Sequence, residues 1–292
     1  AGTFTKLQLL LPGENADSGT AAGKTGAPTA RTAGMAFTVT VNAVDANWNV
    51  ASSTDTVRIT SSDAAATLPG DAALVGGTKT FVIILKTVGT ATITAIDITD
   101  GGKTPNTSPS ITVNVGSFSK LQLLVPGETP APGTVNGKTG TPTARTAGTA
   151  FIVTVNAVDA NWNIVRSTDT VHIVSSDAAA TLPSDAALVG GTRIFSVTLN
   201  TAGDQTITAS DATEGSKTAD TSPPITVNAA TAARLFVTLP GQTFVSGRGN
   251  SGTPTVQTAG TAFNITLTAV DASNKADVSY SCLLYTSPSP RD

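Results

Sequence analysis

The sequence predicts an all-β protein made of tandem two-sheet antiparallel sandwiches. A long block of sequence repeats along the chain, and its segments alternate apolar and polar residues, as strands with one buried face do. The 27 Gly and 16 Pro residues punctuate these segments, which favours short strands joined by turns. Charged residues make up 13% of the 292 positions, and this low charge argues against an intrinsically disordered chain.

The block repeats with a period of 114 positions. The segment KLQLLLPGE at Lys6 returns as KLQLLVPGE at Lys120 and as RLFVTLPGQ at Arg234. The third copy lacks two residues after its first strand, so PTARTAGTAF at Pro142 returns as PTVQTAGTAF at Pro254, 112 positions later. A period this long indicates whole domains in tandem. The predicted domains are 1–116, 117–230 and 231–281.

The alignment of the copies also predicts what lies at the ends of the chain. Residues 1–4 match the junction at 115–118, so we expect the chain to open on a linker from an earlier repeat. Copy three matches only the first two strands, and we expect it to be a truncated, unstable domain because an isolated strand pair is marginal in water. Residues 282–292 read CLLYTSPSPRD and contain the only cysteine, Cys282. They match the conceptual translation of a sequencing-library adapter, and we interpret them as a non-native tail.

Seven strands follow in order within copy two. Strand A is an apolar run that ends before Pro126, and strand B places Phe151, Val153 and Val155 on one face. Strand C reads V-x-I, D is short, and E alternates cleanly. The predicted bounds are Lys120–Val125 (A), Phe151–Ala157 (B), Thr170–Val174 (C), Ala180–Leu182 (D), Phe195–Asn200 (E), Gln205–Ala209 (F) and Ile225–Asn228 (G). Seven short strands, each with one apolar face, describe a two-sheet sandwich.

The segment AGTAFIVTVNAVDANWN at Ala147, followed by the V-x-I strand and by G-x-x-TITASD at Gly203, carries a family resemblance. It resembles the bacterial immunoglobulin-like repeats of large surface proteins, of the invasin and intimin type. The resemblance implies seven-strand immunoglobulin-like sandwiches, with the third copy truncated. Trp48 and Trp162 occupy a corner position where that family usually carries Gly. Because Trp resists a positive φ that Gly tolerates, we expect a different turn geometry there.

Composition excludes several function classes. The net charge is −3 and no cluster of Lys and Arg occurs, which argues against nucleic acid and anionic membranes as partners. No apolar run approaches the roughly 18 residues of a membrane span. His172 is the only histidine and replaces Arg58 of copy one on an alternating strand, so we predict a surface position. We therefore predict no enzyme, and no catalytic, cofactor-binding or metal-binding residues.

One pattern nevertheless has the spacing of a calcium loop. Asp45-x-Asn47-x-Asn49 recurs as Asp159-x-Asn161-x-Asn163, and D-x-N-x-N opens the loop of EF-hands. The Gly and the bidentate Glu that complete that motif are missing, so side-chain bonds within a turn are the favoured interpretation. The alternative is an interdomain Ca²⁺ site, to which three further acidic residues could contribute: Asp185, Asp211 and Glu214.

Three other features each allow a functional interpretation and a purely structural one. Trp48 and Trp162 could bind a sugar or a protein, but packing on their own domain is the commoner role. The segments AGKTG and NGKTG lack the spacing of a phosphate loop, so we predict flexible loops there. A Lys–Asn isopeptide bond, as in some Gram-positive pilins, could join strands A and G, although ordinary strand pairing is favoured. Its candidate pairs are Lys6 with Asn114 and Lys120 with Asn228, and Arg234 of copy three cannot form it.

The favoured function is that of spacer or stalk repeats in a large secreted or surface-displayed bacterial protein. High identity between copies favours a spacer, because a recognition surface needs only one specialised copy. The expected partners are neighbouring repeats of the same chain, with a glycan or protein ligand as a further hypothesis. Two alternatives stay open: adhesion through the Trp loops or the long A–B loop from Pro126 to Gly148, and an accessory module of a secreted glycan-degrading enzyme.

Overall fold

A computed structural model describes residues 2–271 and 274–277. These residues form strands and turns and no helix, and nearly all strand pairs are antiparallel, which confirms the all-β prediction. The adapter-like tail at 282–292, with Cys282, lies outside the described residues, as do 278–281. In the described part of the chain, no helix is long and apolar enough to cross a membrane.

Copies one and two each contain the same twelve strands. In copy one they are β1 (Lys6–Leu10), β2 (Glu14–Ala16), β3 (Lys24–Gly26), β4 (Arg31–Thr32), β5 (Ala36–Val44), β6 (Thr56–Ser61), β7 (Ala72–Ala73), β8 (Thr78–Ile84), β9 (Gly89–Ala91), β10 (Ile93–Asp97), β11 (Asn106–Thr107) and β12 (Ile111–Asn114). In copy two they are β13 (Lys120–Leu124), β14 (Glu128–Pro130), β15 (Lys138–Gly140), β16 (Arg145–Thr146), β17 (Ala150–Val158), β18 (Thr170–Ser175), β19 (Ala186–Ala187), β20 (Thr192–Thr198), β21 (Gly203–Gln205), β22 (Ile207–Asp211), β23 (Asp220–Thr221) and β24 (Ile225–Asn228).

The sheets of the two copies correspond strand for strand. In copy two, one sheet has the order β13-β17-β20, and the others are β19-β18-β22-β23 and β16-β24-β21. Copy one repeats this as β1-β5-β8, β7-β6-β10-β11 and β4-β12-β9. The parallel pairs are β4 with β12 and β16 with β24, and each domain also has a short hairpin, β2-β3 or β14-β15. This is the predicted immunoglobulin-like sandwich.

Each domain encloses a separate apolar core. Leu9, Val41 and Ile83 are fully buried in copy one, and Leu123 and Val155 are fully buried in copy two. The alternating residues of β17 supply one inner face, and Phe151 and Phe195 are the large side chains of the second core, as predicted. The boundaries at 116/117 and 230/231 stay a prediction.

Several predicted element bounds differ from the structure. The prediction of strand D at Ala180–Leu182 is wrong: Thr181 makes only an isolated bridge to Thr198, and the short strand between C and E is β19, which pairs with the outer edge of β18. Strand F is split into β21 and β22, which pair with different neighbours. Strand E begins at Thr192 and not at Phe195. The prediction of flexible loops at AGKTG and NGKTG is also wrong, because Lys24 and Lys138 begin strands β3 and β15.

The described residues of copy three form two strand pairs. Its strands are β25 (Arg234–Thr238), β26 (Thr243–Val245), β27 (Gly249–Ser251) and β28 (Thr266–Val270), paired as β25-β28 and β26-β27. Leu235, Val237, Phe263 and Ile265 are 43–50% exposed. These apolar side chains are therefore open to solvent, as expected for a strand pair that has no facing sheet.

Candidate functional site: the B–C corner and the domain junction

The D-x-N-W-N segment of copy two is a tight hairpin corner after β17. Two backbone hydrogen bonds close the corner: Asp159 N–H donates to Asn163 O (2.9 Å), and Trp162 N–H donates to Asp159 O (3.1 Å). Trp162 has a φ of 68°. A type I turn followed by a left-handed residue is a standard hairpin connection, and Gly usually occupies that last position. The prediction of a different turn geometry is therefore wrong, because Trp adopts the conformation that Gly favours.

The Asp159 carboxylate is satisfied by N–H groups of the corner and of the interdomain linker. Its Oδ1 accepts from Asn161 N–H (2.8 Å) and Asn163 N–H (3.0 Å), and its Oδ2 accepts from Gly116 N–H (3.0 Å). The Asn163 side-chain amide donates to both oxygens. Such bonds to a carboxylate are charge-assisted and fix the backbone around it.

Copy one repeats this arrangement around Asp45. The Gly2 N–H donates to its Oδ2 at 2.6 Å, and Asn47 and Asn49 N–H donate to its Oδ1. The Gly2 hydrogen bond, followed by those of Asn49 and Asn47, lowers the pKa of Asp45 to about 2 against the opposing effect of burial. These bonds stabilise the ionised carboxylate because every donor faces it.

The acidic residues that could complete an interdomain Ca²⁺ site have other partners. Asp185 hydrogen-bonds to His172. Asp211 accepts from Thr213 N–H and Glu214 N–H. Within residues 2–271 and 274–277, no group of three His, Cys, Asp or Glu side chains is placed to hold a metal ion. The structure thus does not bring these residues to the corner.

The two Trp rings pack against groups of their own domains and are only partly exposed. The Lys120 ammonium lies 3.4 Å from the Trp162 ring centroid, and Lys6 lies 3.5 Å from that of Trp48. Gly137 also approaches the ring so closely that a Cβ there would lie 2.1 Å from Cδ2 of Trp162. The Trp162 Nε1–H donates to Val135 O (3.1 Å). A sugar could not stack on the part of the ring that Lys120 and Gly137 contact without displacing them.

The corner of copy two also contacts copy one. The Asn163 Nδ2 donates to Lys86 O (2.8 Å), and its Oδ1 accepts from Val88 N–H (3.0 Å). Lys86 and Val88 flank the turn that follows β8. Asn163 is 4% exposed, whereas Asn49, its counterpart in copy one, is exposed to solvent. The junction therefore buries an Asn whose side-chain polar groups are all paired.

A second junction repeats the first with the residue types exchanged. Lys275 stands where copy two has Asn163, and its Nζ donates to Oδ1 of Asn200, the counterpart of Lys86. A cleft of about 600 Å³ lies at the first junction and one of about 620 Å³ at the second. Thr87 and Val88 line the first, and their counterparts Thr201 and Ala202 line the second. The sequence did not predict either junction, because Asn163 and Lys86 are far apart in the chain and no motif indicates that they meet.

The remaining candidates have structural partners. His172 is exposed and pairs with Asp185, as Arg58 pairs with Asp71 in copy one, which confirms the surface prediction. Lys120 donates to Ala160 O and is not engaged by Asn228, which ends β24 beside β16. The suggested pairing of Lys120 with Asn228 is therefore wrong. The lysines that do contact buried acidic groups are Lys24 and Lys138, which the sequence offered only within the AGKTG and NGKTG segments and not as partners of an acidic residue.

These two lysines belong to equivalent polar clusters beside the β2-β3 and β14-β15 hairpins. In copy one, Lys24 Nζ lies 2.9 Å from Glu14 Oε1 and 3.1 Å from Leu9 O. In copy two, Lys138 Nζ lies 3.4 Å from Glu128 and 3.5 Å from Asp220. The Glu side chains are 1–2% exposed and the Lys side chains 14–16% exposed.

No family model and no curated protein matches this chain. Solved structures similar to it include the D00–D0 domain of intimin (15% identity, TM-score 0.34, covering 76% of this chain and 98% of that one). They also include FdeC, an Escherichia coli adhesin (17%, 0.31, 94% and 76%), and domains 5–6 of the S-layer protein SbsC (22%, 0.26, 70% and 94%). The immunoglobulin-like fold of this chain rests on its own sheets and cores.

Proposed function

We propose that this chain is a series of spacer domains in a secreted or surface-displayed bacterial protein, with no catalytic activity. The observation that carries the proposal is the contact of Asn163 with Lys86 and Val88, in which one side chain both donates to and accepts from the preceding domain. A pair of oppositely directed hydrogen bonds limits rotation more than a single bond does. Neighbouring domains of a stalk need a fixed orientation, so that each domain adds its length to the whole.

The linker supports the same role. Gly116 N–H is bonded to Asp159, so the chain between the cores is attached to the corner that makes the junction. Linker, corner and preceding turn therefore form one hydrogen-bonded unit, whereas flexible linkers have a solvated backbone. The exchange of Asn163 and Lys86 for Lys275 and Asn200 keeps a polar contact at the second junction.

Adhesion is the second candidate function. The Trp rings do not favour it, since Lys120 and Gly137 both pack against Trp162. The A–B hairpin favours it more, because Val135 at its tip is 93% exposed beside the cleft at the first junction. Copy one has Ala21 at this position, so such a surface would belong to copy two alone. An accessory role in a glycan-degrading enzyme is favoured by no observation on the described residues.

Small-angle X-ray scattering of the full chain tests the spacer role. We expect Asn163→Ala to broaden the distance distribution by loosening the junction. Asn49→Ala is the matched control, because it alters the same corner where no junction is made, and it should leave the distribution unchanged. Identical curves for wild type and Asn163→Ala would contradict the proposal. Specific binding on a glycan array, abolished by Val135→Ser, would instead support adhesion.

A further inference from the structure

The polar clusters beside the two hairpins contain the parts needed to form an amide bond. Each has a lysine, a nearly buried glutamate and a carboxamide or carboxylic side chain: Lys24, Glu14 and Asn106 in copy one, and Lys138, Glu128 and Asp220 in copy two. The alternation of Asn106 and Asp220 is informative. An ion pair with the lysine needs a carboxylate and is lost when a neutral amide takes its place. An amine, in contrast, can form an amide bond with either side chain.

One strand residue aligns the reacting groups in each cluster. Leu9 N–H donates to Asn106 Oδ1 (3.0 Å), and Leu9 O accepts from Lys24 Nζ (3.1 Å). The N–H and C=O of one strand residue point to the same side, so the amine and the carboxamide lie on the same side of β1, each bonded to Leu9. In copy two, Leu123 N–H donates to Asp220 Oδ2 (2.8 Å), and Lys138 Nζ lies 3.5 Å from the same oxygen.

The geometry gives each group a role in acyl transfer. Reacting atoms held about 3–3.5 Å apart gain strongly from proximity. The backbone N–H of Leu9 polarises the Asn106 carbonyl and is placed to stabilise an oxyanion on Oδ1. The Glu14 carboxylate contacts Nζ directly and can take its proton. Leu11 N–H donates to Glu14 Oε2 and fixes this base.

We propose that each domain forms an intramolecular isopeptide bond, between Lys24 and Asn106 in copy one and between Lys138 and Asp220 in copy two. In copy one, Nζ of Lys24 bonds to Cγ of Asn106, the Cγ–Nδ2 bond breaks, and ammonia leaves. In copy two, the Cγ–O bond of Asp220 breaks and water leaves. The glutamate carries the proton from Nζ to the leaving group, so no oxidant or co-reactant is needed.

The reaction is favoured by the charges that it removes. Lys138, Glu128 and Asp220 together place one ammonium and two carboxylates where the side chains are 2–16% exposed. Charges held away from water carry a desolvation penalty that pairing only partly offsets. Amide formation replaces the ammonium and one carboxylate by a neutral group.

Copy three is a natural variant without the reactive groups. Gln242 replaces the glutamate and Asn250 replaces the lysine. The Asn250 Nδ2 donates to Gln242 Oε1 (3.1 Å) and to Val237 O (2.8 Å), so the hairpin keeps its hydrogen bonds. The hairpin therefore folds with amides in these positions, and the charged pair is not required for its geometry.

The bond would change how a domain carries tension. A covalent link between residues 24 and 106 places 25–105 in a closed loop, and the second link does the same for 139–219. Pulling on the two ends of a domain would then load the bond, and the residues within the loop would not extend. This inference goes beyond the spacer role and does not depend on the junctions.

Intact mass spectrometry of the denatured full chain tests the proposal. We expect a mass below that of the sequence by one ammonia and one water, and proteolytic peptides joined through Lys24–Asn106 and Lys138–Asp220. A mass equal to that of the sequence would overturn the proposal. A loss of ammonia alone or of water alone would overturn it for the copy that kept its mass.

Matched variants distinguish isopeptide formation from other reactions that release ammonia or water. Glu14→Gln should restore one ammonia to the mass, and Glu128→Gln should restore one water, each without affecting the other copy. Gln has the size of Glu and can accept the same backbone N–H, as Gln242 does in copy three, so these variants should fold, which circular dichroism checks. A mass loss that persists in a folded Lys24→Arg, Lys138→Arg double variant would overturn the assignment.

Discussion

The Lys120 ammonium lies over the Trp162 ring at 3.4 Å from its centroid, and the pair repeats as Lys6 over Trp48 at 3.5 Å. A cation at this distance from a ring face is attracted by its quadrupole. Burial lowers the pKa of Lys120, against the attraction of Asp159 and Asp220. The contact holds Trp162 at a φ of 68°, so packing of the ring offsets the strain of its backbone.

Replacing Trp162 separates the strain from the packing. Trp162→Ala keeps a Cβ at positive φ and loses the ring, whereas Trp162→Gly also relieves the strain. We expect the Gly variant to be more stable than the Ala variant by about 1 kcal/mol, and both to be less stable than wild type. Hydrogen exchange of β17 amides measures this locally in copy two. Equal protection in the two variants would show that the backbone is not strained.

A buried amide pair should show strong coupling in a double-mutant cycle. Asn156 Nδ2 donates to Gln122 Oε1 (2.9 Å), and Gln122 Nε2 donates to Gly137 O (2.7 Å). Copy three has Phe236 and Thr268 in these two places. Gln122→Phe alone leaves the Asn156 Nδ2 and the Gly137 carbonyl without this partner, while Asn156 Oδ1 still accepts from Thr192, and the change should cost about 1–3 kcal/mol.

The double variant Gln122→Phe, Asn156→Thr should cost less than the sum of the two single changes, because it removes both halves of the pair. Urea denaturation gives the three free energies of unfolding. Additive values would mean that the two side chains act independently.

Acid should destabilise both complete domains below about pH 4. Burial would raise the pKa of Asp177, but hydrogen bonds from Thr201, Asn200 and Ala179 outweigh it and lower the pKa. The pKa of Asp63 in copy one is lowered in the same way. A carboxylate with a lowered folded-state pKa stabilises the fold above its ordinary pKa, and this stabilisation is lost as pH falls through the folded-state value.

The melting temperature should therefore be steady above about pH 5 and fall below about pH 4. The difference between wild type and Asp177→Asn should shrink over the same range. Asp204→Asn is the control, since Asp204 is exposed and its side chain accepts a hydrogen bond from the Thr226 hydroxyl. A wild-type advantage over Asp177→Asn that persists at pH 2 would contradict this assignment.

Added Ca²⁺ should not stabilise the chain. The oxygens of Asp159 accept from Asn161, Asn163 and Gly116, and a bound cation would have to displace these donors. A ligand that binds the folded state raises the melting temperature by linkage. We expect no rise at millimolar Ca²⁺, in wild type or in Asp159→Ala. A rise in wild type that Asp159→Ala abolishes would establish the calcium site instead.

The sequence was sufficient for the sandwich because the alternation that signals a strand also forms the core. β17 and β24 appear within a residue of their predicted positions at each end. The short hairpin β14-β15 was missed because its strands have three residues each and contain Pro130 and Gly140, which usually mark turns. Strand D was misplaced because β19 has only two residues.

The polar sites were harder to predict because their partners are distant in sequence. Lys138 and Asp220 meet only through the pairing of β22 with β23 and the packing of the hairpin on β13. The positive φ of Trp162 was not predicted, since residue preference disfavours it and only the contacts with Lys120 and Gly137 explain it. Tertiary contacts decided both cases.

Residual dipolar couplings of backbone amides in copies one and two of the full chain test the spacer role most directly. If Asn163 holds the two domains in a fixed relation, one alignment tensor fits both in wild type and in Asn49→Ala, and Asn163→Ala needs two tensors of different magnitude. If wild type already needs two tensors of different magnitude, the domains reorient independently and the junction does not make a stalk.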